Sequence, residues 1–422
     1  MAPVSYLDVR PGMCVLDLCA APGGKSTQIA SKLEGRGILI ANEIISDRAR
    51  ILSQNIERMG IKNALVLSHT PKELAKRYPA SFDRILVDAP CSGEGMMRRD
   101  ETAINEWSDE NVAMCAKRQE DILDAASVML KPGGRLVYST CTFSIPENEA
   151  QIIRFLEKHP DYRAVKAEPA EGMRRGLSIA GGDADSYQGT EEERPKPEEK
   201  DAQDVQEGML RIWPQDGYGE GHFIAVLERT GGRLPVSCGY QGAKEPPLNN
   251  KQRQEIRPFK EFVADVISKG ALKDHISDPG NLFMFGKKLC ALPYSGLPLL
   301  SGLKVIRAGF ELGEIRKDRF IPSHSLALAM KAEDAVRLAE LQGESFDAKD
   351  PFQAMDNNKA ARYLNGQTLA ADEASMMKKD PAARDDGWTL VTISGISAGW
   401  VKATKGILKN HYPKGLRINK AY

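Results

Sequence analysis

Short, uninterrupted apolar runs alternate with amphipathic stretches over residues 14–160, a pattern that predicts a strand–helix alternation. The strand candidates are Cys14 to Leu18, Gly37 to Ala41, Ala64 to Leu67, Ile85 to Val87 and Arg135 to Tyr138. Between them, Ser26 to Leu33 and Ser46 to Met59 have helical spacing, with Asn55 four residues from Ile51, three from Leu52 and four from Met59. A longer helix is expected from a cap at Ser108 to Leu130, stopping at Lys131-Pro132-Gly133-Gly134. Ser144, with Pro146 and Glu147 behind it, predicts a further helix start just past Cys141. Continuous rather than alternating apolar strands imply a parallel sheet covered on both faces, the α/β class.

Periodicity fails over 162–206, where Glu191 to Glu193, Glu198 and Glu199 mix with Pro195 and Pro197, so a surface excursion is expected there. Met209 to Trp213 and Gly221 to Leu227 predict a hairpin on the sheet edge, which closes a first domain over 1–230. Residues 231–257, with Pro235, Pro246 and Pro247, predict a linker. Two small α+β or barrel-like modules are expected beyond it, over 258–340 and 341–422. The first includes a helix from Phe259 to Ile267 and strands at Leu282 to Phe285 and Leu303 to Phe310. The second includes strand-like Thr389 to Ile393 and Ala398 to Ala403.

Composition narrows this picture only slightly. The 422 residues suffice for a large core, 41% are hydrophobic, and no apolar run approaches the ~20 residues of a membrane span. The start lacks a basic leader and an apolar h-region, and the seven cysteines form no short, regular framework, so a cytoplasmic protein is expected. The histidines form no ligand-spaced cluster, and no metal site is expected. The net charge of 0 means that any nucleic-acid footprint must be local, and the tail from Trp400 to Tyr422 is one candidate because it holds no acidic residue.

The sharpest loop is Asp17-Leu18-Cys19-Ala20-Ala21-Pro22-Gly23-Gly24-Lys25-Ser26, between the first strand and the first helix. There, exposed backbone N–H groups and two glycines let a polar ligand approach closely. Glu43, at the end of the second strand, is placed to hold a ribose hydroxyl pair. Together they imply a nucleoside-containing cofactor. The Gly-x-Gly-x-x-Gly pattern of nicotinamide sites is absent, as is the spacing of an ATPase phosphate loop. Cys91, in Asp88-Ala89-Pro90-Cys91, and Cys141, in Ser139-Thr140-Cys141-Thr142, lie just beyond the fourth and fifth strands. In a doubly wound sheet those strands are neighbours, about 5 Å apart, so both thiols should flank one crevice beside the glycine loop.

The strings Asp17 to Ser26, Asp88 to Gly93 and Tyr138 to Phe143 together resemble the S-adenosylmethionine-dependent RNA cytosine-5 methyltransferases of the NOL/NOP/Sun group, and within it the bacterial enzymes of 16S ribosomal RNA. That resemblance implies a Rossmann-like methyltransferase domain followed by RNA-binding modules, the last PUA-like. It assigns S-adenosyl-L-methionine to Cys19, Ala20, Ala21, Pro22, Gly23, Gly24, Lys25, Glu43, Arg48 and Asp88, with Thr70 a candidate contact for the adenine. It makes Cys141 the nucleophile that adds to cytosine C6 and Cys91 the residue that helps resolve the adduct. Asp88 would hydrogen-bond the base, and Lys25 either orients Asp88 or ends the glycine turn. Arg98, Arg99, Arg316, Lys317, Arg319, Lys409 and Lys414 are the candidate RNA contacts. The expected partner is 16S ribosomal RNA or the small ribosomal subunit, met by a monomer with no membrane association. The same chemistry on tRNA or another ribosomal RNA, or a non-catalytic assembly role, is the alternative. The relatives carry an N-terminal RNA-binding segment, so the start at Met1-Ala2-Pro3 is expected to reflect either a truncation or a version without that element.

Overall fold

A computed structural model describes residues 1–178, 205–217, 219–232, 242–293, 296–342 and 358–417. They fall into two compact units, the first made of 1–55, 63–244 and 295–307, the second of 56–62, 245–294 and 308–422.

In the first unit the strands β1 (Cys14–Asp17), β2 (Ile38–Asn42), β3 (Ala64–Leu67), β4 (Phe82–Asp88) and β5 (Leu130–Thr140) pair in parallel in the order β3-β2-β1-β4-β5. Leu16 lies opposite Ile40 on one side and Ile85 on the other, and Asp88 lies opposite Ser139. Every residue of β1, β2 and β3 is buried, which is why these strands read as unbroken apolar runs. Around the sheet run helices α1 (Ala2–Tyr6), α2 (Gly24–Leu33), α3 (Ser46–Arg58), α4 (Pro71–Arg77), α5 (Glu101–Glu106), α6 (Asp109–Met129) and α7 (Glu149–Lys158). Beyond β5 the sheet turns antiparallel. Strand β9 (His222–Arg229) pairs with β5, β6 (Tyr162–Ala164) with β9, β8 (Met209–Ile212) with β9 and β7 (Met173–Arg175) with β8. The hairpin is therefore where the turn signals predict it.

Three sequence expectations are corrected. The expected excursion contributes β6 and β7 to the sheet, while its residues 179–204 lie outside the described residues. The helix expected from Ser144 starts at Glu149, because Glu147 and Asn148 turn inward as hydrogen-bonding groups. The run Leu303 to Phe310 is two strands split at Gly309, whose φ of 56° breaks the extended chain. The first of them, Val305–Ala308, joins the edge of the first unit's sheet beside β3, so residues 295–307 belong with that unit.

The second unit holds two further sheets. Strands β10 (Leu282–Phe285) and β11 (Lys288–Ala291) precede that edge strand, β12 (Val305–Ala308). With β13 (Phe310–Arg316) and β14 (Arg319–Pro322) they give the order β10-β11-β13-β14. Strands β15 (Arg337–Leu341), β16 (Leu369–Ala370), β17 (Ser375–Lys378), β18 (Gly387–Ile393), β19 (Ile396–Thr404) and β20 (Ile407–Asn410) give β16-β20-β19-β18-β15-β17. Helices α8 (Asn250–Glu255) and α9 (Arg257–Val266) lead into the unit, and α9 turns Phe259, Phe262, Val263 and Val266 into a core shared with Phe310, Phe320, Leu390 and Trp400. Trp400, at the start of the basic tail, and Phe320 are thus core residues. Among the described residues no helix is long and apolar enough to cross a membrane.

Candidate active site

The strand order reverses between β1 and β4, and the loops leaving the carboxyl ends of these strands open a crevice, the usual ligand position in such sheets. A cavity of about 700 Å³ occupies it, lined on one side by Cys19, Ala21, Glu43 and Arg48 and on the other by Asp88, Cys91 and Cys141. Gly23 precedes α2 with a φ of 115°, a conformation that a side chain resists, and a Cβ there would meet Leu52 at 3.0 Å. Under the loop, Ser26 donates to Asp17 Oδ2 at 2.6 Å, while Asp17 Oδ1 is buried without a partner. Burial raises the Asp17 carboxyl to about 7.

Glu43, 3% exposed, accepts from the Ile45 amide at 2.9 Å and pairs with Arg48 at 3.3 Å. Arg48 also donates to the Ala21 carbonyl at 3.2 Å, so the second helix braces the glycine loop. The half-exposed apolar side chains of Ile44 and Ile45 line the same end of the cavity. A carboxylate for a ribose diol, an apolar wall and a glycine turn under the strand ends together fit a nucleoside bearing a bulky, uncharged-to-cationic arm. Ala20, Pro22, Gly23, Gly24 and Lys25 build the loop without lining the cavity. Thr70 does not line it either. Its hydroxyl accepts from the Glu73 amide and caps α4.

On the other side, Asp88 is held at both oxygens. Lys25 Nζ donates to Oδ2 at 2.7 Å and Ser139 Oγ to Oδ1 at 2.7 Å. The thiols of Cys91 and Cys141 meet at 3.3 Å. The hydrogen bond from Cys91 is the main cause that lowers the Cys141 pKa, with Lys25 adding to it. The same bond and burial push Cys91 well above the thiol range. Cys141 is therefore the thiol poised to ionise.

A clamp of two carboxylates, one of them buried, fixes both cysteine loops, and sequence reasoning missed it. Glu147 accepts from Ser92 Oγ at 2.5 Å, from the Ser92 amide at 3.1 Å and from Gln119 Nε2 at 2.7 Å. Glu94 accepts from the Phe143 amide at 2.7 Å, from Thr142 Oγ1 at 3.0 Å and from Trp107 Nε1 at 2.9 Å. Between these carboxylates the Gly95 amide donates to the Cys141 carbonyl at 2.8 Å. A Cβ on Gly95 would lie 2.7 Å from that oxygen and 2.9 Å from the Glu220 carbonyl. The only sequence signal was the glutamate three residues past Ser144, which resembles a capping box. His222, on β9, brings Nε2 to 3.8 Å from Asp88 Oδ1, and burial lowers its pKa to about 4, so it stands neutral beside Asp88.

The candidate RNA contacts are dispersed. Arg98 and Arg99, largely exposed, share Glu220 at 3.5 and 3.0 Å at the edge of the clamp. In the second unit Arg316 pairs with Glu314, while Lys317, Arg319, Lys409 and Lys414 are exposed. Lys317 and Arg319 lie on the turn and strand that end the first of that unit's sheets, whereas Lys409 lies on β20.

A doubly wound sheet with a glycine loop, a ribose-type acid and a paired-thiol crevice defines an S-adenosylmethionine-dependent methyltransferase. Residues 4–228 match the family model described as 16S rRNA methyltransferase RsmB/F. Residues 261–330 match the RsmF rRNA methyltransferase first C-terminal domain, and 353–418 the methyltransferase RsmF PUA domain. The chain belongs to this family. It is 30% identical over 95% of its length to the ribosomal RNA small subunit methyltransferase F of Aliivibrio fischeri, covering 73% of that protein. It is likewise 30% identical over 99% of its length to the protein of that name from Escherichia coli, covering 76% of it. The solved structure of NSun6 from Pyrococcus horikoshii with SFG is 28% identical and superposes with a TM-score of 0.40, covering 55% of this chain and 51% of that one.

Proposed function

We propose that this chain methylates C5 of cytidine in 16S ribosomal RNA, with Cys141 as nucleophile and Cys91 as the group that helps release the product. The observation that carries the reading is the 3.3 Å meeting of the two thiols at the mouth of the cofactor cavity. Cytosine C5 is a poor nucleophile, and a second thiol has no use in methylation of an ordinary oxygen or nitrogen atom.

In this reading the Cys141 thiolate adds to C6 and makes an S–C6 bond, and the electron pair displaced from the C5–C6 double bond makes C5 nucleophilic. Bound S-adenosylmethionine supplies an electrophilic methyl on a sulfonium. After C5 takes the methyl group it holds both methyl and hydrogen. That proton must leave to a base before the C5–C6 double bond can re-form and expel Cys141 as thiolate. Asp88, fixed by Lys25 and Ser139, faces the base where charge builds during addition. Cys91, within hydrogen-bond reach of the Cys141 sulfur, stabilises the departing thiolate. The target base must leave its stack to reach this crevice.

Labelled S-adenosylmethionine with small ribosomal subunits, naked 16S RNA or tRNA tests the substrate. Label at cytidine C5 of 16S RNA is expected, label in tRNA alone would move the assignment, and no C5 label in any of them would refute it. A mutant pair tests the roles. Cys91→Ala is expected to accumulate a protein–RNA adduct stable to denaturing gels and Cys141→Ala to form none, and the opposite pattern would exchange the two cysteines.

A further inference from the structure

A second cavity, of about 910 Å³, lies in the second unit and is remote in sequence from the thiols. Its walls combine Trp388 and His411 with Arg319, Arg384 and Lys402. Trp388 on β18 and Lys402 on β19 are paired across the strands, and the ammonium lies 6.0 Å from the indole centroid. The His411 imidazole meets the same indole edge to face at 4.5 Å. One edge of Trp388 packs on the buried core through Trp400, at 6.3 Å, which holds the ring rigid while the rest of it lines the cavity. Burial and the Lys402 charge lower the His411 pKa, so its ring is uncharged at neutral pH.

The charge balance of this cavity is unlike that of the whole chain. Glu261 is taken by Arg257 at 2.8 Å and Asp265 by the buried Arg337 at 3.1 Å. Among the described residues Arg319, Arg384 and Lys402 have no carboxylate partner, and Asp318 is the one lining carboxylate without a cation. Flat, rigid heterocycles beside exposed cations are the parts with which proteins hold unpaired nucleotides. The ring takes a base by stacking, and the cations take the phosphates on either side. An acidic peptide would satisfy the cations but leave the ring faces without a flat partner.

We propose that this cavity is a single-stranded RNA subsite that stacks one unpaired base on the Trp388–His411 wall and holds its flanking phosphates with Arg319, Arg384 and Lys402. The inference rests on reading the substrate as RNA, and it adds a contact remote from the reacting base.

The test is anisotropy of a short labelled single-stranded RNA of alternating adenosine and cytidine on the full chain without cofactor, together with ultraviolet cross-linking mapped by mass spectrometry. Cross-links at Trp388 or His411 are expected. Trp388→Ala should weaken binding about tenfold, the scale of one base–aromatic stack, and Trp388→Phe should restore most of it. Because Trp388 touches the core, the exposed pair Arg384→Glu and Lys402→Glu gives an independent arm. Together they should weaken binding about tenfold or more and lower the salt slope by about 0.7 per lost phosphate contact. Unchanged affinity in both arms, or no cross-link in this cavity, overturns the proposal. So does poly-glutamate binding that these variants abolish while RNA binding persists. Because methyl transfer is not read, RNA held here by a chain that methylates no cytidine would refute the proposed reaction and leave this subsite standing.

Discussion

Cys91 and Cys141 differ chiefly in which of them receives the other's hydrogen bond. Their neighbours are as specific. Asp17 gives a clear linkage signature, because its carboxyl rises from the ordinary 3.8 to about 7 in the folded chain, chiefly through burial. The folded state then binds a proton that the unfolded state has lost. The associated stability is fully present below about pH 4 and falls as pH rises to about 7. At ~1.4 kcal/mol per unit, the loss amounts to at most ~4 kcal/mol. Asp17→Asn should flatten the urea-denaturation midpoint across that pH window, and an unchanged slope would remove Asp17 as its source. Glu147 is the second case. Glu147→Ala orphans the donors of Ser92 and Gln119 at a cost of ~1–3 kcal/mol. By loosening the Cys91 loop, it should slow single-turnover methylation ~10- to 100-fold. Retention of the full rate would show that the loop needs no such anchor.

At the scale of elements, the loop after β1, the acid after β2 and the two cysteines could be read from the chain because each lies within a few residues of a strand end, and the strand ends show in the apolar runs. The sequence allows Lys25 two roles, and its 2.7 Å bond to Asp88 favours the orienting one. The clamp could not be read. Glu147 meets Ser92 from 55 residues away, and Glu94 meets Phe143 from 49. Such partners exist only after α6 and β5 have brought the two loops together. The edge strand at Val305–Ala308 was hidden for the same reason, since its pairing with the first sheet leaves no local mark. The antiparallel extension carries its own anchor. Arg211 on β8 donates to Glu149 at 2.6 Å with both side chains buried, and its guanidinium lies 4.9 Å from the Trp213 ring. Arg211→Ala leaves Glu149 charged and buried, so a loss of ~3–5 kcal/mol is expected in chemical denaturation. A loss under ~1 kcal/mol would mean that Glu149 finds another partner.

For the whole molecule, 58 basic and 58 acidic residues cancel, so bulk charge does not draw RNA to this chain. Local arrangement must do so, and it limits salt sensitivity. If three cations neutralise phosphates at a slope of ~0.7 each, a fourfold rise in salt should weaken single-stranded RNA binding by ~20-fold. A loss beyond ~1,000-fold in the anisotropy titration would require a much broader footprint. Exposure was the property that the sequence could not supply at this scale. Trp400, at the start of the basic tail, is core, whereas Trp388, one strand away, lines the cavity. The crevice in the first unit has one further property of this collective kind. At Gly95 three stretches of chain converge with no room for a single methyl group, so the close approach of the Cys141 backbone to the 220–221 turn depends on a residue that has no side chain. For protein engineering, that glycine is a spacer screw. Alanine there is expected to displace the backbone that carries Cys141 while both thiols keep their chemical identity, which would separate the effect of position from the effect of functional group.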